Sequence, residues 1–402
     1  MERIGERGTL DCSELSEFGR AKPGLTSFQD CDVITAKITP CFENGKGALC
    51  QGLPGGHGFG TTELHVLRPG LSLMPRFLYY VTASSDFRLA GAGAMSGAAG
   101  QKRVPDEFVR NFLCPVPPAA RQTAVCAYLD RETARIDALI AKKERLIALL
   151  EEKRAALINR AVTKGLDPGV PMKDSGIPWL GAVPAHWEVV PVRRCCSDIE
   201  QGWSPIAEDR KADEGEWAVV KLSAVHKGVF RSEEHKALPS GLSPDRHLEI
   251  RQGDFLLTRG NTPELVADVC IVGQCRGGLM LSDLVYRLSF RDDLTVPEFI
   301  LFFFLSAAGR YQIERDARGS SESMVKVAQG HIRSWYLPLP PPAEQRRTAV
   351  HLQAHADKAN AVRAKIREQI AKLQEYRTAL ISAAVTGKID VRESAGEGGT
   401  LS

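Results

Sequence analysis

A few short stretches carry side chains suited to contacting another molecule. In residues 96–105 (SGAAGQKRVP), Gln101, Lys102 and Arg103 follow a run of Gly and Ala small enough for the backbone to approach a surface closely. Lysine and arginine pair with phosphate, and an amide side chain matches the donor and acceptor edge of a base. A solvated surface loop would account for the same residues. The counterpart at residues 319–326 (GSSESMVK) keeps the small residues and Lys326 but carries Glu322. Lys37 and Arg259 fall at corresponding strand ends, each followed by turn residues, and Lys46 lies between two glycines. Arg259 with Asn261 offers the side chains suited to guanine and adenine edges; the alternative is a plain surface hairpin. Trp203, in QGWSP at 201–205, is an aromatic contact candidate, although tryptophan is more often core.

Catalytic signatures are missing. Residues 43–47 (ENGKG) lack the upstream glycine and the Ser/Thr of a phosphate-binding P-loop, and residues 55–60 are followed by no helical pattern that would suit a dinucleotide. No Asn/Asp-Pro-Pro-aromatic motif occurs, so an amino-methyltransferase site is not expected in this chain. Asp245 and the Glu234/Lys236 pair stand in the wrong order for a nuclease. The ten cysteines form no CxxC pair, which argues against zinc and for reduced thiols in a cytoplasmic protein. No cofactor is expected on this chain.

With 402 residues, 43% hydrophobic, the chain can bury more than one core. A net charge of +3 is only mildly basic, so any binding patch must come from local clustering. The longest apolar run, residues 299–305, is too short for a membrane helix, and the first residues lead into no apolar leader segment.

An internal repeat of about 223 residues positions these stretches. Residues 115–122 (PVPPAARQ) resemble 338–345 (PLPPPAEQ), and 161–163 (AVT) match 384–386 at the same offset. Upstream, 31–40 (CDVITAKITP) resembles 253–263 (GDFLLTRGNTP), with Asp32 over Asp254, one position short of that offset. Each half is a mixed α/β globular segment, a proline-rich junction and a long helix. Strands are expected at 32–38, 63–67, 217–222, 254–258, 266–272 and 284–290, helices at 105–112 and 299–305, a loop at 52–60, and a disordered tail at 393–402. Residues 119–163 contain neither Pro nor Gly, and Ile136, Ile140, Ile147, Leu150, Leu157 and Ala161 form one apolar stripe, interrupted by Lys143 and Arg154. The partner stripe is Leu352, Ala359, Val362, Ile366, Ile370, Leu373, Leu380 and Ala384. Spacing of this kind predicts two long helices paired antiparallel; the alternative is two independent amphipathic helices, each on its own domain. Arg363 stands where the repeat has Ile140, and Ala359 where it has Ile136. Met172, which opens the second half, has no counterpart, because the same offset carries it back past Met1. The first half is therefore expected to lack about 50 residues at its start.

The chain resembles the specificity subunits of type I restriction-modification systems. The resemblance is carried by residues 37–48 (KITPCFENGKGA), 97–105, 130–140 (DRETARIDALI), 149–158 (LLEEKRAALI), 161–168 (AVTKGLDP), 172–181 (MKDSGIPWLG) and 183–188 (VPAHWE). It implies two α/β target-recognition domains, each reading one half of a split double-stranded DNA site. Two antiparallel, coiled-coil-like spacer helices would join them and set the spacing. The implied domains are 1–117 and 183–341 for recognition, 118–166 and 342–388 for the spacer helices, 167–182 for a linker and 389–402 for the tail. The implied partners are two modification subunits that methylate adenine and one restriction subunit, a translocase. S-adenosylmethionine, ATP and Mg would be held by those partners, and no membrane is involved. The missing start leaves a second possibility, a truncated relic that docks the modification subunit but reads one half-site or none.

Overall fold

The computed structural model describes residues 1–14, 24–97, 100–321 and 324–391. The expected disordered tail, Ala98, Ala99 and Glu322 lie outside the described residues. The chain divides into two compact units, Met1–Leu146 with Ala364–Ser402, and Ile147–Arg363.

Unit 1 is built around a three-stranded antiparallel sheet in the order Gly47–Leu49, Val33–Ala36, Leu64–Leu67. The central strand is buried at all four residues, which is why Val-Ile-Thr-Ala reads as a continuous run and not as an alternation. A second strand pair joins Thr26–Gln29 to His57–Gly60. The glycines of residues 52–60, expected to be a loop, therefore end in a strand: Gly58 has room for Phe28 because it has no Cβ. Helices α1 (Pro75–Ala83), α2 (Ser85–Gly93) and α3 (Asp106–Asn111) complete the layer.

Unit 2 repeats the plan with additions. Its main sheet runs Val269–Ile271, Phe255–Thr258, Val285–Phe290, Cys196–Gln201, all antiparallel, and the central Phe255–Thr258 is again wholly buried. Ala218–Val220 pairs with His235–Ala237 and lies parallel to Leu279–Met280. Glu188–Pro191 pairs with Tyr336–Leu339. Helices α5 (Pro297–Leu305) and α6 (Ala307–Asp316) follow the sheet, with a short α7 (Gln329–Ser334) before the junction.

Two long helices, α4 (Ala119–Lys164) and α8 (Pro342–Val385), pack together. Each begins just after prolines and ends at a left-handed glycine, Gly165 or Gly387, where a residue without Cβ can close the last turn. Within unit 1, Asp137 meets Arg377 and Lys143 meets Gln369; within unit 2, Glu151 meets Arg363. Rising numbers on α4 meet falling numbers on α8 in unit 1, so the pairing there is antiparallel.

The seam keeps a strict four-three spacing on α8: Leu352, Ala356, Ala359, Arg363, Ile366, Ile370, Leu373, Arg377, Leu380, Ala384. On this register Val362 falls off the seam and is 44% exposed. Its expected packing role is corrected: Arg363, one residue on, takes the inward place. On α4 the seam runs through Ile136, Ile140, Lys143, Ile147, Leu150, Arg154, Leu157 and Ala161, so the two charged residues lie in the stripe and do not break it. Ile136, Ile140 and Leu380 are buried with the core of unit 1, and Ile158, Ala161 and Leu352 with that of unit 2. Ile366 is buried, while Ile147, Leu150, Leu157, Ile370 and Leu373 are half-buried. Burying one such aliphatic side chain fully contributes about 1.5–3 kcal/mol.

Candidate nucleic-acid interface

In unit 1 the loop at residues 96–104 docks on the end of the central strand. Val104 N–H donates to Lys37 O at 2.8 Å, Thr39 N–H to Lys102 O at 3.0 Å, and Lys102 N–H to Thr39 Oγ1 at 3.0 Å. Lys37, Gln101, Lys102 and Arg103 are thereby brought to one edge. Gln101 and Lys102 are exposed. Arg103 is already engaged: Nε and Nη2 donate to the Glu63 carboxylate at 2.9 and 2.8 Å. That hydrogen-bonded pair holds Glu63 below the usual carboxylate range. Lys46 lies apart from this loop, with its ammonium on the Met1 carbonyl at 3.3 Å.

Beneath the loop His65 is buried, Nε2 at 3.0 Å from Val104 O and Nδ1 at 3.1 Å from Asp106. Burial outweighs Asp106 and keeps the ring below its ordinary pKa.

Unit 2 builds the same edge from other residues. Arg259 N–H donates to Leu284 O at 2.7 Å and Val327 N–H to Arg259 O at 2.9 Å. The corresponding bonds in unit 1 are Lys37 N–H to Glu63 O and Val104 N–H to Lys37 O. Gly260 pairs with Lys326 and Asn261 with Val325 in a small sheet. Trp203 N–H donates to Leu281 O at 3.0 Å, Ser204 Oγ accepts from Asp283 N–H, and Arg259 Nη1 reaches Asp283 O at 3.4 Å. Trp203, Arg259, Asn261 and Lys326 therefore share one edge, with Trp203 43% exposed.

The scaffold beneath each edge is duplicated bond for bond. Gln122, fully buried, donates through Nε2 to Ser72 O and Pro117 O and accepts from Met74 N–H. Gln345, also fully buried, donates to Leu294 O and Pro340 O and accepts from Val296 N–H. Ser84 and Ser306 cap α2 and α6 in the same way. Asp32 accepts from Gln29 N–H and Asp254 from Arg251 N–H. In the sequence the two glutamines mark only a repeat, and Glu63 and His65 stand out in no motif. Nothing in their local context reveals partners so distant along the chain.

Among the described residues no three His, Cys, Asp or Glu side chains gather as metal ligands, and no helix is long and apolar enough to cross a membrane. The ten cysteines are unpaired, and burial pushes the Cys195 and Cys196 thiols up to about 11.

No family model matches the chain. Individual proteins do. It is 28% identical over 408 residues to the specificity subunit of the type I restriction enzyme EcoEI of Escherichia coli, covering 83% of this chain and 68% of that one. It is 22% identical over 328 residues to the EcoKI specificity subunit of Escherichia coli strain K12, covering 81% and 68%. This chain belongs to the type I restriction-modification specificity subunits. A local match to the EcoAI specificity subunit of Escherichia coli reaches 44% over 113 residues, 28% of this chain and 19% of that one. The fold agrees: a chain from a structure of the type I R-M system, described as the basis of its complex assembly and conformational transition, superposes with a TM-score of 0.68 at 19% identity. It covers 92% of this chain and 85% of that one. Specificity subunits are non-catalytic.

Proposed function

We propose that this specificity subunit reads a bipartite double-stranded DNA target, one half-site per unit, and docks two modification subunits that methylate adenine. The observation that carries the reading is the duplicated scaffold. One set of backbone bonds presents Lys37, Gln101, Lys102 and Arg103 in unit 1, and Trp203, Arg259, Asn261 and Lys326 in unit 2. Equal frames with unequal side chains suit two different half-sites. Lys46 belongs to the phosphate side of this reading once Met1 O releases it. Arg103, held by Glu63, acts by shaping the loop more than by free contact. The recurring bonds support the internal repeat, with recognition domains at 1–117 and 183–341 and spacer helices at 118–166 and 342–388. S-adenosylmethionine, ATP and Mg belong to the modification and restriction subunits in this reading.

A second reading, in which only unit 2 recognises DNA, is favoured by one observation. The outer edge of Val285–Phe290 is covered by Cys196–Gln201, whereas among the described residues no strand covers the outer edge of Leu64–Leu67.

Co-expression with a modification subunit and mapping of methylated adenines tests both. A split motif with a fixed gap supports two working readers. A single defined half supports the second reading. Methylation or cleavage by the purified chain alone would overturn the assignment. Binding dominated by phosphate contact should also weaken steeply with salt.

A further inference from the structure

Arg88 on α2 and Arg310 on α6 occupy the fourth position of their helices, after the caps Ser84 and Ser306. Each guanidinium turns under the loop that leaves the central strand. Arg88 donates to Phe42 O at 3.1 Å and Gly45 O at 3.3 Å, and sits 4.9 Å from the Phe42 ring centre. Arg310 donates to Val266 O at 2.6 Å and Pro263 O at 3.0 Å. These loops run straight from Lys37 and from Arg259 and Asn261. Burial lowers both guanidinium pKa values, that of Arg88 to about 10; the Arg88 charge rests on its carbonyls, and that of Arg310 on its two carbonyls with Glu314 3.7 Å from Nε.

The same first turn of each short helix is tied to a spacer helix. Ser85 N–H donates to Ser382 Oγ of α8 at 2.7 Å, within unit 1. Ala308 N–H donates to Asn159 Oδ1 of α4 at 3.0 Å, within unit 2. Asn159 and Ser382 are themselves counterparts in the repeat, each standing two positions before its AVT motif. A spacer helix, one helical turn and one bifurcated arginine thus form a continuous strut to each candidate loop. A planar guanidinium holds two carbonyls in a fixed fork, a geometry that the rotatable ammonium of a lysine does not impose.

We propose that Arg88 and Arg310 are positioning residues for sequence recognition, each fixing its unit's reading loop against the spacer helix. The proposal rests on the DNA-reading function above. Neither arginine need touch DNA; each sets where the loop's side chains meet base edges, and a displacement of an ångström is enough to lose a bidentate contact.

Two measurements on the full chain keep this inference separate from that function. Backbone hydrogen exchange is compared for wild type, Arg88→Met and Arg310→Met. Exchange should rise roughly tenfold or more at Phe42, Asn44, Gly45 and Lys46 in R88M, and at Leu265 and Val266 in R310M, with the main sheets unchanged. A rise spread over the whole unit, or none, overturns the strut whatever the chain does with DNA. In the complex with the modification subunit, R88M should relax base preference in one half of the methylated motif and R310M in the other. Unchanged motifs overturn the positioning role even if exchange rises. A wild-type chain that gives no split motif counts against the DNA-reading function, and with it against recognition as what the strut serves, while exchange still decides the strut. Should the methionine variants not fold, R88K and R310K keep the charge and lose the fixed two-carbonyl fork, and the same readings apply.

Discussion

The two units share a frame and differ at its edge. Buried Gln122 and Gln345 make the same three bonds, and Ser84 and Ser306 cap corresponding helices. Yet where unit 1 carries Lys37, Gln101 and an Arg103–Glu63 pair, unit 2 carries Arg259, Asn261 and a half-exposed Trp203. Interior bonds tolerate little change, because an unpaired buried donor or acceptor costs the full desolvation of that group. Edge side chains facing water are free to diverge. The helix pair shows the same contrast inside the core: unit 1 has Ile140 fully buried on the seam, and unit 2 has Arg363 there, whose nearest opposite charge is Glu151 at 3.5 Å and whose Nε has no hydrogen-bond partner.

That last difference gives the largest expected effect. Ile140→Arg would place an unpaired charge in the seam and should cost about 3–5 kcal/mol in chemical denaturation followed by a probe in unit 1. A loss under about 1 kcal/mol would mean that the two seams tolerate charge equally. Next, Gln122→Ala and Gln345→Ala should each cost about 2–3 kcal/mol, since each strands two carbonyls and one N–H. Unequal losses would show that the duplicated junctions do not do equal work. On DNA, Arg259→Ala should cost about 1–3 kcal/mol and relax one half-site. A uniform loss across all sequences would make Arg259 a phosphate contact. Arg363→Leu should gain about 1 kcal/mol by removing a poorly paired charge beside Arg154, read from the denaturation midpoint.

The smallest effect is a pH step confined to unit 1. The folded pKa of His65 is lowered, so its contribution is intact above the ordinary value near 6.5 and falls away as pH drops toward the folded value. The protection factor of the Val104 amide, its exchange corrected for the intrinsic pH dependence, should therefore fall as pH is lowered from about 7.5 to about 5.5, and His65→Gln should flatten that change. In unit 2 the strand register puts Tyr286 at this place, its hydroxyl 3.5 Å from Val327 O, and no step is expected there.

The long helices, their pairing and the proline–glutamine junctions could be read from the chain alone. A seven-residue spacing sustained over about 40 residues admits few other solutions. The resemblance to specificity subunits rested on contiguous motifs of the same kind. The strands at the core of each half were also legible, because buried strands are continuous apolar runs. What local sequence left open was settled by partners distant in the chain. Val362 reads as a seam residue until the register carried by its neighbours turns it outward and Arg363 inward. Arg103 reads as a free cation until Glu63, far earlier in the chain, is folded against it. Arg88 and Arg310 belong to no motif in the sequence, and only the fold places two carbonyls within reach of each guanidinium. Spacing along a helix is a local property and survives in the sequence, whereas the pairing of a charge depends on which strand end arrives beside it, and only the tertiary structure decides that.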